Sequence, residues 1–82
     1  MNKRQQELII KYEGAIESLS FLLREARVRA ELIKGSVEGK DYEPIKEWIE
    51  GRLKEVYADI EEYERQIEMY GRWIKEFENE VD

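Results

Sequence analysis

The chain contains no cysteine, no histidine and no threonine, and it has a single proline. Without cysteine there is no disulfide framework and no thiol nucleophile, so nothing implies an oxidising compartment. Without histidine the commonest general base and the commonest metal ligand are missing together. Ser18, Ser20 and Ser36 have no sequence neighbour suited to activating a hydroxyl. Long apolar runs are missing as well. The early Leu8-Ile9-Ile10 is far too short for the hydrophobic region of a signal peptide, and no stretch approaches the roughly 20 apolar residues of a spanning helix. These absences lead to the expectation of a cytoplasmic protein that is not an enzyme and uses no cofactor, no metal and no membrane.

What is present is a pair of apolar ladders. The second runs Ile49, Leu53, Val56, Ile60, Tyr63, Ile67, Tyr70, Ile74, Phe77, Val81 in alternating steps of four and three residues. With Leu53 at heptad position a, the Ile, Leu and Val residues of every second step share that position, and Ile49, Val56, Tyr63, Tyr70 and Phe77 take d. The first ladder reads the same way, with Ile9, Ile16, Leu23, Ala30 and Val37 at a and Tyr12, Leu19, Ala26 and Ile33 at d. A strand would alternate with period two, and no useful length of this chain does so. Each ladder predicts a helix packed lengthwise on a partner.

Backbone chemistry places the break between them. Gly35 after Lys34 is a candidate for the left-handed residue that ends a helix, and Gly39 is the other, since the ladder continues through Val37. Asp41, Tyr42 and Glu43 then precede Pro44, and a proline in a first turn loses no hydrogen bond because its missing N–H had no partner there. The spacing predicts helices over about 3–35 and 43–79 with a loop over about 36–42. At 1.5 Å per residue each helix is roughly 50 Å long, which a loop of about seven residues cannot span. The hairpin must therefore be antiparallel, and the 82 residues leave room for one all-α domain over 1–82.

Charge supports the same pairing. Residues 1–34 carry seven Lys and Arg against five Glu, a balance of +2, whereas residues 44–82 carry six against twelve, a balance of −6, within a net charge of −6 overall. Opposite signs favour the two helices as partners of each other, although exposed ion pairs contribute only about 0.2–1 kcal/mol each. The abundance of Glu, Lys and Arg beside only five Asn and Gln residues gives a thermophile-like composition.

A lone hairpin of this sequence leaves apolar surface over. Leu8, Ala15 and Leu22 flank the first seam at g, and Tyr57 and Trp73 flank the second, which widens each stripe toward the face used in bundles of more than two helices. A scaffold this small needs a further source of stability, and with no disulfide the one available is oligomerisation. The heptad, coiled-coil-like seam therefore predicts a homodimer forming a four-helix bundle. Its hairpin and oligomer core comprises Ile9, Tyr12, Ile16, Leu19, Leu23, Ile33, Ile49, Leu53, Val56, Ile60, Tyr63, Ile67, Tyr70, Ile74 and Phe77. Large residues facing Ala26 and Ala30 offer a fit that fixes register without a buried polar group.

Phe21 and Val28 lie opposite the first seam with Leu32 and Ile10 beside them, and Trp48 and Met69 lie off the second; of these, Phe21, Val28, Leu32 and Trp48 are the candidate residues for binding an unidentified protein partner. Asp59, Glu61, Glu62, Glu64 and Glu68 form a dense acidic stretch, but no acidic residue occupies a or d and no Glu-x-x-His pair exists, so a di-metal bundle is excluded. The leading expectation is a noncatalytic protein–protein interaction and assembly module. One alternative is a small acidic inhibitor, in the manner of phage and plasmid proteins that offer carboxylates to a basic groove. The other is an RNA-binding hairpin dimer, an architecture shared with a plasmid copy-number regulator. Lys3, Arg4, Lys11, Arg24, Arg27, Arg29 and Lys34 do not form one stripe, and the negative net charge opposes approach to phosphate.

Overall fold

The computed structural model describes residues 2–37 and 45–80. It contains two α-helices, α1 over Lys3–Val37 and α2 over Lys46–Asn79. They lie side by side in a rod of 62 × 15 × 14 Å. Their direction is antiparallel: Gln5, near the start of α1, donates from Nε2 to Glu80 Oε2 at 3.2 Å beyond the end of α2, while Lys34, near the end of α1, sits over the ring of Tyr57.

The packing centre is small. Ala26, Ala30 and Val56 form a buried cluster, against which Ile33, Leu53, Ile60 and Tyr63 pack. The two alanines bring no bulk of their own, so α2 can set Val56 and its larger neighbours close to the α1 backbone. Burial of apolar area, at roughly 25 cal/mol per Å², is the main favourable term here. Leu23 and Ile49 are also buried. No large side chain among the described residues is fully buried, however, so the ladders are shielded on one side only.

Toward the start of α1 the seam becomes aromatic. The Tyr12 ring lies 5.4 Å from those of Tyr70 and Trp73 and 6.2 Å from that of Phe77. Tyr70 and Trp73 meet edge to face at 5.4 Å. Such pairs add about 0.5–1.5 kcal/mol beyond the area they bury.

The ends are held by local polar chemistry. Asn2 Oδ1 accepts from the Gln5 backbone N–H at 2.8 Å, and the Asn2 N–H donates to Gln5 Oε1 at 3.2 Å, a reciprocal cap that satisfies two donors left free by the helix start. Glu47 in the first turn of α2 and Lys34 in the last turn of α1 each carry the charge that suits the helix dipole there.

Gly35 does not end α1: it lies inside the helix, has no left-handed backbone, and is followed by helix to Val37. α2 runs from Lys46, with Ile45 as its N-cap at φ −118° and ψ 5° and no side-chain cap. Ile45 is not a capping residue by chemistry, which is why no signal at that position marked the start. Gly39, Pro44 and the segment between them lie outside the described residues, as does Val81.

Candidate interaction surface

The orientation of α1 follows from its core. With Ala26 and Ala30 seated against α2, the opposite side of the helix must face outward. At 100° per residue Ile10, Phe21, Val28 and Leu32 fall within about 40° of one another on that outer side. All four are exposed, Phe21 at 60% and Leu32 at 69%. α1 is therefore apolar on two opposite faces, of which the hairpin covers one. Phe21, Val28 and Leu32 line one shallow groove, and clustered apolar residues of this kind mark an interaction surface more often than isolated exposed residues do.

The electrostatics of the stripe are as distinctive as its polarity. A shallow groove along it is lined by Phe21, Arg24, Glu25, Val28, Arg29 and Leu32. Arg24 and Arg29 make no ion pair or hydrogen bond among the described residues. The ion pairs that are present lie elsewhere. Arg27 meets Glu64 across the hairpin at 3.0 Å, and Lys34–Glu31, Arg52–Glu55 and Arg65–Glu62 are pairs three residues apart within one helix. The Lys34 ammonium is held above the ordinary lysine value, first by the Tyr57 hydroxyl beside it and then by Tyr57 and Glu31 charge.

Two further apolar places flank the seam. Leu8, Ala15 and Leu22 run along one side of α1, with Leu8 and Ala15 half-buried and Leu22 exposed, and Trp73 extends the aromatic group on α2. On α2 a second shallow groove is lined by Glu50, Leu53, Lys54, Tyr57, Ala58 and Glu61.

The residues singled out from the sequence separate into two sets. Ile9, Tyr12, Ile16, Leu19, Leu23, Ile33, Ile49, Leu53, Val56, Ile60, Tyr63, Ile67, Tyr70, Ile74 and Phe77 are buried or half-buried along the line between the helices. Phe21, Val28, Leu32 and Trp48 are exposed; the first three share the outer stripe, whereas Trp48 stands apart on α2 with the Arg52 guanidinium 6.0 Å from its ring. Ile10 lies on the same outer side of α1 and is exposed, as its spacing from Phe21, Val28 and Leu32 implies. The Asn2–Gln5 cap was also legible as an Asn-x-x-Gln signature at a helix start.

Among the described residues no group of three acidic side chains is placed to hold a metal ion, and no helix is long and apolar enough to cross a membrane. Compared with protein-family models, characterised proteins and solved structures, the chain matches none.

Proposed function

We propose that this chain is a noncatalytic helical-hairpin module for protein–protein interaction and assembly, and that it acts as a homo-oligomer in which two hairpins make a four-helix assembly with coiled-coil-like seams. One observation carries the reading: α1 turns Ile10, Phe21, Val28 and Leu32 outward while no large side chain of the described hairpin is fully buried. A rod only two helices thick cannot enclose its own apolar residues, and association with another chain supplies the missing cover. The outer carboxylates of α2 serve as the solvated side of such an assembly, and Arg27 and Lys34 of α1 pair with acidic neighbours.

A pair of substitutions tests the reading, because it assigns the seam and the stripe different work. Ile60→Asp places a carboxylate in the packed seam and is expected to abolish both helical content and association. Phe21→Asp lies on the exposed stripe and is expected to leave helical content intact while removing association. Circular dichroism with light scattering reads both, and equal loss of helix in the two variants would contradict the division.

A further inference from the structure

We draw no further inference here: the strongest candidate, the shallow apolar groove of Phe21, Val28 and Leu32 on the outer face of α1, belongs to the interaction surface already described, and nothing in the structure shows what covers it.

Discussion

Arg27 donates from Nη2 to Glu64 Oε1 at 3.0 Å, joining α1 to α2 across the side of the hairpin. Both side chains are more than half or half exposed, at 59% and 50%. The pair therefore selects how the helices align more than it holds them together, because solvent screens its attraction. Arg27→Ala is expected to lower stability by no more than about 1 kcal/mol, and the loss should shrink in high salt. Urea unfolding at two ionic strengths checks it; a loss of several kcal/mol would show that the ion pair, rather than the apolar ladders, dominates.

Ala26, Ala30 and Val56 form the buried cluster between the helices. Enlarging either alanine to leucine is expected to cost about 1–3 kcal/mol, since the larger side chain must displace Val56 and its neighbours. Ala15→Leu, on the flank rather than in the cluster, is expected to cost much less. Thermal unfolding of the two variants compares them directly.

How far the sequence foretold this arrangement varies along the chain. The facing of the ladders and the antiparallel direction were legible, because Leu23, Ala26, Ala30, Ile49 and Val56 repeat at helical spacing and the connection is too short for any other direction. For the end of α1 the spacing offered two stops, Gly35 and Gly39, and the helix passes the first. A glycine after a lysine is a common stop, but Gly35 adopts helical backbone here as readily as Lys34 does, since glycine permits a left-handed conformation without requiring it. The start of α2 carried no capping side chain to read. On the candidate surface, Phe21, Val28 and Leu32 stood out because they oppose the seam.

The aromatic group gives the amino-terminal end of α1 its hold on α2. Tyr12 touches Tyr70, Trp73 and Phe77 at once, so its removal strips three ring contacts. Tyr12→Ala is expected to destabilise the hairpin by about 2–4 kcal/mol and to flatten the near-ultraviolet circular dichroism of the tryptophan. Amide exchange should quicken first over the paired ends, where Gln5 meets Glu80.

Lys34 gives the fold a dependence on alkaline pH. Its ammonium is favoured in the folded chain by the Tyr57 hydroxyl, then by Tyr57 and Glu31 charge, so it holds its proton above the ordinary value of 10.5. For a raised lysine the associated stability is fully present below that ordinary value and is lost as pH rises through the folded one. The difference in thermal midpoint between the native chain and Lys34→Met should therefore be constant from neutral pH to about pH 9 and narrow above about pH 10.5. Titrating both proteins by circular dichroism separates this from changes elsewhere in the chain, which the variant shares.

The most direct test of the central claim is the mass of the chain in solution, measured by light scattering behind size exclusion at low and high salt and with RNA added. The account predicts a particle of twice the 9.9 kDa chain mass that persists in high salt and ignores RNA, because an apolar stripe closes it. A particle of 9.9 kDa at every concentration, or one that forms only with RNA, would contradict it.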